Sequence, residues 1–453
     1  MSLWSLLGYA LRQSPLVVAG KAARVGRRKV LALVNQGIRS HRSPYPPLRK
    51  APPRGPSLLD APFRIQVPEA VQAVLLARCR EILGHRFDLL GSGWLDAGYP
   101  DAPGRERLIA RLPPGARAQA AALWALVDPS YRPIDWHADV KSGVRWPEGR
   151  WKDGIRYGHM KGVDVKVPWE LARLQHLPML AATLSFAGPE LAERMRREIR
   201  NQALDFLAAN PTGFGVNGVC TMGVAIRAAN LCLALDMVRA TGGGGAGACD
   251  PPFRGGVEAG WMAPGRLLVQ NLEWSPDRRG NHYLADLAGL LFVAAWAPPS
   301  PETDGWMKLA GDGLVTEIPL QFDGDGANFE ASTCYHRLSA EMALYCAALL
   351  LGLPEPPALP EPVVARLSRM ARFTRDVTKP DGRVVQIGDN DSGRFFKPFP
   401  AASPAAPLDE DSLDHRALAG LASALFDDAD LTRFAGDGGA AERALAESLS
   451  RGR

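Results

Sequence analysis

The chain has 453 residues, 46% of them hydrophobic and 22% charged, a composition typical of a globular protein and not of a disordered chain. One ordinary core does not extend over this length, so we expect several domains, or a toroid or solenoid that adds helices to a shared interior. The net charge of +5 comes from residues 1–54, which hold 11 Lys or Arg and no Asp or Glu. Because the rest of the chain is slightly acidic, no nucleic-acid partner is expected.

The first 62 residues are interpreted as a basic segment followed by a proline-rich linker. The apolar start, residues 1–18, lacks a basic leading region and is interrupted by Arg12, so no signal peptide is predicted. The basic residues fit a peripheral contact with an anionic membrane surface, or equally a solvated arm. Without an export signal we expect the cytoplasm or the periplasm, and the cytoplasm is favoured. The sequence indicates no oligomeric state.

Neither the cysteines nor the common ligand motifs predict a metal or a cofactor. The six cysteines form no C-x-x-C pair and are predicted to be buried, reduced thiols. No H-E-x-x-H occurs, and the turn at Asp323 and Asp325 departs from the calcium-loop pattern at its third ligand. The glycine run at 242–247 lacks the Lys-Ser/Thr of a phosphate-binding loop.

The first predicted helix runs from Pro68 to Leu83, with proline in its first turn. Residues 85–165 are irregular and rich in Trp, with short strands expected between Arg86 and Leu90. Flat aromatic rings in such a region either line a sugar-binding cleft or pack in the core, and the sequence does not separate the two.

From Pro168 onward the pattern is helical, and each break coincides with a proline, glycine or capping residue. Short connections between helices of this length indicate successive antiparallel hairpins, and hence an all-α fold. The predicted helices are Pro168–Phe186, Pro189–Ala209, Asn217–Ala240, Trp261–Glu273, Asn281–Ala297, Pro301–Leu314, Thr333–Leu351 and Pro362–Val377.

The C-terminal residues change character. The alternating stretch VVQIGDNDSGRFF, from residue 384, predicts one or two strands around a polar turn. A Pro/Ala-rich link and two short acidic helical segments follow. We therefore divide the chain into the basic segment (1–62), a helical domain (63–380) and an incomplete C-terminal β region with a helical tail (381–453).

The sharpest candidate site lies where a polar turn delivers Asn281 and His282 onto a nearly all-apolar helix. Backbone N–H groups are unpaired in the first turn and the helix dipole is positive there, so this end suits a carboxylate. Asp286 lies one turn on and is expected to hold His282 in place. A purely structural histidine is the alternative.

A second helix entrance carries Tyr335 and His336, with Glu330 just upstream of a Ser/Thr cap. A tyrosine serves as acid or base where its pKa is lowered. The glycine-rich turn that precedes this helix favours a shaped site over a merely structural phenol.

Four further residues are candidates for substrate binding. Trp169 and Arg173 share a helix face, although an ion pair of Arg173 with Glu170 explains the arginine without function. Asn217 follows a glycine and is expected to cap the helix that carries Arg227. Arg227 lies on an otherwise apolar helix, and a buried arginine needs an anionic partner.

Five segments in consistent order resemble the heparinase II/III family of polysaccharide lyases, in particular bacterial members of surface-polysaccharide clusters. These are PWELARLQHLP (168–178), NPTGFGVNGVCTMGVAIRAANLCLALD (210–236), NLEWSPDRRGNHYLADLAGLLFVAAW (271–296), DGDGANFEASTCYHRLSAEM (323–342) and VVQIGDNDSGRFFK (384–397). The resemblance implies an (α/α) toroid followed by a β-sandwich, with the active site between them. Most of the β-sandwich is expected to be missing here, together with any divalent cation it holds.

The resemblance also implies a chemistry, β-elimination on a uronic acid in an anionic polysaccharide. Asn281 and His282 would neutralise the carboxylate and Tyr335 would act as acid or base, while the other candidates would bind substrate. Those candidates are Arg227, Asn217, Glu330, His336, Arg173 and Trp169.

Two alternatives stay open at this point. A glycoside hydrolase on the same toroid would use paired carboxylates, such as Glu330 with Asp323 or Asp325. A non-catalytic glycan-binding or accessory protein is the third possibility; it would need no acid or base, and the expected absence of most of the β-sandwich is the feature in its favour.

Overall fold

A computed structural model of the protein describes residues 30, 33–44, 55–60, 62–158, 160–241, 251–276, 279–391, 393–400, 408 and 410–452. Most of the basic segment lies outside these residues, and with it the predicted membrane contact.

The described residues are mostly helical, as predicted. Residues 33–40 are helical, and β1 (Arg86–Asp88) pairs antiparallel with β2 (Trp94–Asp96). The α-helices are α1 (Glu69–Leu83), α2 (Arg105–Arg111), α3 (Pro114–Trp124), α4 (Lys166–Ala172), α5 (His176–Thr183), α6 (Pro189–Ala209), α7 (Thr221–Ala240), α8 (Pro251–Gln270), α9 (Asn281–Trp296), α10 (Pro301–Gln321), α11 (Thr333–Leu351), α12 (Glu361–Asp376), α13 (Arg416–Phe426), α14 (Ala429–Ala435) and α15 (Ala440–Ser450).

The helices form two layers. An inner series, α5, α7, α9, α11 and α13, packs each member against the next, and α6, α8, α10 and α12 lie outside it. The inner helices α7 and α9 are apolar on nearly all sides and almost completely buried, whereas α6 and α12 bury one face. This is the arrangement of an (α/α) toroid built from antiparallel hairpins, and it confirms the predicted fold class.

The closest inner contact is between α7 and α9. A side chain at Gly289 would place its Cβ 2.5 Å from the carbonyl oxygen of Ala225, so glycine is required for this approach. Helix α7 is also long and apolar enough to cross a membrane by composition alone, but 94% of its apolar window is buried inside the protein. It is therefore a core helix.

Several helix boundaries differ from the predictions. The predicted helix Pro168–Phe186 is two helices, α4 and α5, because Leu174 adopts a left-handed conformation with φ of 57°. No glycine or proline marks that break. Helix α8 begins ten residues before the predicted Trp261, and α10 continues through Pro319 past the predicted end at Leu314. Helices α2 and α3 were not predicted.

The predicted C-terminal strands are wrong. Among the described residues from 379 to 400, the only strand-like pairing is an isolated bridge between Thr378 and Val384. Val384 is buried, but Val385 and Ile387 are both exposed. The apolar side chains of this stretch therefore do not pack as the buried face of a sheet. The two predicted helical segments do form, as α13 to α15, and they pack on α11 within the same hydrophobic core as the toroid.

Candidate active site

A single open cleft of about 1080 Å³ lies at the N-terminal ends of α9 and α11. Helix α4 borders it on one side, and the segments after α8 and before residue 394 border it on the others. Its polar lining residues, which define the cleft from here on, are Lys166, Trp169, Glu170, Arg173, Cys220, Glu273, Ser275, Arg279, Asn281, His282, Glu330, Tyr335 and Asp391. The three predicted catalytic residues, from two separate helices, therefore meet in one place.

Asn281 opens α9 and is held by Glu330. The Asn281 backbone N–H donates to Glu330 Oε1 (2.7 Å), and its Nδ2 donates to Glu330 Oε2 (2.6 Å). The amide side chain is thus fixed in orientation, with one N–H still available. Glu330 lines the cleft, as predicted, and its visible role is to position Asn281.

His282 is held by two groups that sequence reasoning did not identify. Its Nδ1 lies 3.0 Å from Glu273 Oε2, and its ring also shares a hydrogen bond with Cys220. The bond with Cys220 first, and then the bond with Glu273, raise the pKa of His282 to about 10 against an opposing effect of burial. The imidazole is therefore protonated at neutral pH and presents a positive charge to the cleft.

The predicted support of His282 by Asp286 is wrong. Asp286 is fully buried and accepts a hydrogen bond from the backbone N–H of Glu273 (2.7 Å). Burial raises the pKa of its carboxyl to about 8. Asp286 therefore acts one step away, by fixing the residue that holds His282. Glu273 lies within one of the resembling segments, which is the signal that could have drawn attention to it.

Tyr335 is placed by its helix cap and by an acid from the C-terminal segment. Ser332 Oγ caps α11 by accepting from the Tyr335 N–H (3.1 Å), and the phenol donates to Asp391 Oδ2 (2.9 Å). Lys166 Nζ contacts the other Asp391 oxygen at 2.8 Å. Burial raises the pKa of the phenol above its usual range, and the Asp391 carboxylate adds to this. The phenol is therefore protonated at neutral pH, and its pKa is not lowered as it would be for a tyrosine that acts as a base.

Trp169 and Arg173 lie in the cleft, as predicted. Arg173 Nη1 forms an ion pair with Glu170 Oε2 (2.6 Å), which is the intrahelical pair expected from the spacing. Trp169 Nε1 donates to the Val216 carbonyl (2.8 Å), and this fixes the indole against the cleft wall.

Asn217 and Arg227 lie outside the cleft. The Asn217 amide donates to the carbonyl of Trp136 (2.8 Å), and Cys220, not Asn217, stands at the start of α7. Arg227 donates to the carbonyls of Ala172 and Asn217, and burial lowers its pKa to about 10. The expected anionic partner is thus replaced by carbonyl oxygens, and Arg227 links α7 to the end of α4.

His336 also lies away from the cleft. Its ring is buried between Phe322 and Phe373, and Nε2 lies 3.1 Å from both the Met370 carbonyl and Thr374 Oγ1. Burial lowers the pKa of His336 to about 4, so the imidazole is neutral. Its assignment to substrate binding is not supported, because α11 turns this side chain into the core.

Residues 268–396 match the family model described as Heparinase II/III N-terminus, which confirms the predicted resemblance to that family. A heparin-sulfate lyase of Bacteroides stercoris is 29% identical over 107 residues, covering 23% of this chain and 16% of that protein.

Two solved structures are similar to the chain. A heparan sulfate lyase from Pedobacter heparinus is 19% identical with a TM-score of 0.44, covering 83% of this chain and 48% of that one. A heparinase III structure is 19% identical with a TM-score of 0.45, covering 71% of this chain and 47% of that one. The chain thus spans about half the length of these structures.

Proposed function

We propose that the protein is a polysaccharide lyase that cleaves an anionic, uronic-acid-containing polysaccharide by β-elimination. The observation that carries the proposal is the meeting of Asn281, His282 and Tyr335 in one open cleft, although they lie as much as 54 positions apart in the sequence. Similarity to proteins named as heparin and heparan sulfate lyases supports it.

In this proposal the substrate carboxylate binds at the start of α9. The free N–H of the Asn281 amide, the His282 imidazolium and the positive helix end all favour a negative charge there. Neutralising the carboxylate acidifies the C5 proton, because charge from the broken C5–H bond spreads into the carboxylate as the proton leaves.

Tyr335 supplies a proton to the leaving oxygen. Its raised pKa keeps the phenol protonated, and its hydrogen bond to Asp391 holds the hydroxyl at the cleft surface. When the C4–O bond breaks, the phenol donates its proton to the departing glycosidic oxygen, and the C5 proton passes to a water molecule in the open cleft. The products are a new hydroxyl end and a 4,5-unsaturated uronate.

The charges of the cleft bear on the substrate class. Each basic side chain that lines it among the described residues is paired with a carboxylate, in the pairs Lys166–Asp391, Arg173–Glu170, Arg279–Glu317 and His282–Glu273. A densely sulfated polymer needs unpaired cations to offset its charge. We therefore propose a substrate with carboxylates and few or no sulfates.

The test is an incubation of the full chain with a panel of acidic polysaccharides, both unsulfated and sulfated. We expect ultraviolet absorbance of a 4,5-unsaturated product with an unsulfated uronate polymer, strong loss of it in Asn281→Ala, and no loss in Lys308→Ala, an exposed change on α10. New reducing ends without that absorbance would indicate a hydrolase, and binding without cleavage an accessory protein. Either outcome would overturn the proposal.

The hydrolase alternative is weakened by geometry. Asp323 accepts hydrogen bonds from the backbone of Asp325 and Ala327, so it closes a turn, and neither Asp323 nor Asp325 lines the cleft. The pair of carboxylates that hydrolysis needs is therefore not formed by Glu330 with either residue.

A further inference from the structure

The cleft contains a group of side chains that the proposed elimination does not fully use. Cys220, Glu273 and His282 each offer one potential metal-ligating atom, and these atoms lie within 4.8 Å of one another. They come from three separate parts of the chain: the residue before α7, the segment after α8 and the first turn of α9. The cluster is thus created by tertiary packing.

The chemistry of the three groups matches a particular ion. Zinc binds cysteine sulfur, histidine nitrogen and carboxylate oxygen, and its catalytic sites combine three protein ligands with one open position. A thiolate and a carboxylate together carry two negative charges, which balance Zn²⁺, while calcium and magnesium prefer sites of oxygen alone. All three side chains line the open cleft, so the fourth position is accessible from solvent.

The carboxylate in this cluster is held in place by its surroundings. Glu273 Oε2 accepts from the Met222 N–H (2.8 Å), and the Glu273 backbone is fixed by buried Asp286 (2.7 Å). Supporting bonds of this kind orient ligands in metal sites and contribute to affinity. Lys152, a cation close enough to affect Glu273, has its own partner in Asp153 (3.4 Å).

We propose that Cys220, Glu273 and His282 form a zinc-binding site whose open position faces the cleft and accepts an anionic oxygen ligand. Binding displaces the proton shared between His282 and Glu273 and the proton of the Cys220 thiol. The ion then supplies the positive charge that the His282 imidazolium presents in its absence. Zinc binding itself does not depend on the proposed lyase activity.

The test measures metal binding directly. The full chain is treated with a chelator, and Zn²⁺ is then titrated by calorimetry, in parallel with Co²⁺ followed by absorption spectroscopy. We expect one zinc per chain, proton release, and thiolate-to-cobalt charge-transfer absorption. Cys220→Ser should abolish that absorption and weaken binding by more than the roughly 10-fold to 100-fold loss typical when an orienting group is removed.

Cys334→Ser is the matched control, since Cys334 lies outside the cluster and should leave both signals intact. Thermal unfolding of each variant shows whether it is folded, and Asp286→Asn gives a second variant that keeps all three ligands. The proposal is overturned if no stoichiometric binding is seen, or if the folded Cys220→Ser chain binds zinc as well as the Cys334→Ser chain does. Zinc binding without formation of an unsaturated product would support the zinc site and contradict the proposed lyase activity.

Discussion

Tyr335 and His336 are neighbours in sequence, yet they belong to two different regions of the molecule. The Tyr335 phenol reaches the cleft and contacts Asp391, whereas the His336 ring packs between two phenylalanines in the core. Successive side chains of a helix point about 100° apart. Tyr335 therefore faces the cleft while the next side chain on α11, that of His336, faces the core. The same helix entrance therefore provides one group for chemistry and one for packing.

The charged groups of the two regions differ in the same way. Cleft ion pairs are partly open to solvent, but a buried cluster of charges lies beneath α11, where Arg394 contacts Glu341, Glu442 (3.5 Å) and Glu410 (3.8 Å). Ions removed from water depend on their partners for stability, whereas those at a surface do not. Changes in the cleft should therefore affect the reaction, and changes in the buried cluster should affect stability.

The largest effect is expected from Tyr335→Phe. Losing the proton donor should lower the lyase rate by about 10²-fold to 10⁴-fold, with little change in thermal unfolding, because the phenol is only partly buried. The measurement is the initial rate of unsaturated-product formation per folded chain. His336→Phe is the adjacent control and should retain the rate. Equal rate losses in the two variants would contradict the assignment of Tyr335 to the reaction and of His336 to core packing.

The next effect concerns stability alone. Arg394→Met removes the cation shared by two buried carboxylates, of Glu341 and Glu442, and by the half-buried carboxylate of Glu410, and we expect it to lower the free energy of unfolding by about 3–5 kcal/mol. Arg266→Met breaks an exposed ion pair with Glu302 and should cost about 0–1 kcal/mol. Chemical denaturation of both variants measures the difference. Similar losses of unfolding free energy in the two variants would show that burial does not determine how much these ion pairs contribute to stability.

The pH dependence of stability should separate His336 from the cleft histidine. Because the pKa of His336 falls from 6.5 to about 4 on folding, the unfolded chain binds the proton more readily. Its contribution is complete above pH 6.5 and is lost as the pH falls toward 4, at most ~3 kcal/mol. His336→Phe should reduce this loss when unfolding free energies at pH 7 and pH 5 are compared. An unchanged difference would contradict the assignment of a neutral, buried imidazole.

Local signals were sufficient for much of the fold. Prolines and Ser/Thr caps place the starts of α6, α10 and α11 within a residue or two, because these signals act within one helical turn. The placement of Tyr335 at a helix entrance follows from the same signals, whereas Asn281 is placed by the change from a polar turn to an apolar run.

Features that depend on distant partners were not predictable in this way. The residues 384–387 alternate like a strand, but in the part of the chain that the structure describes they form only the isolated bridge of Val384 with Thr378, and sequence pattern alone does not reveal that. Glu273 and Cys220 reach His282 only after α7, α8 and α9 have packed. Proximity in sequence to Tyr335 predicts His336 in the cleft, but its side chain points into the core from the next position of the helix.

The smallest effect should come from Asp391, which contacts the Tyr335 phenol, and from Lys166, which pairs with Asp391. The Asp391 carboxylate contributes to the raised pKa of Tyr335, so Asp391→Asn, which retains an acceptor oxygen, should lower that pKa. Since the protonated phenol is the active form, the alkaline limb of the rate profile should move to lower pH. Lys166→Met removes a cation beside Asp391 and should move the limb the other way or leave it unchanged. Rate profiles and ultraviolet titration of the phenol measure both, and a shift of the same sign in the two variants would show that Asp391 does not set the protonation of Tyr335.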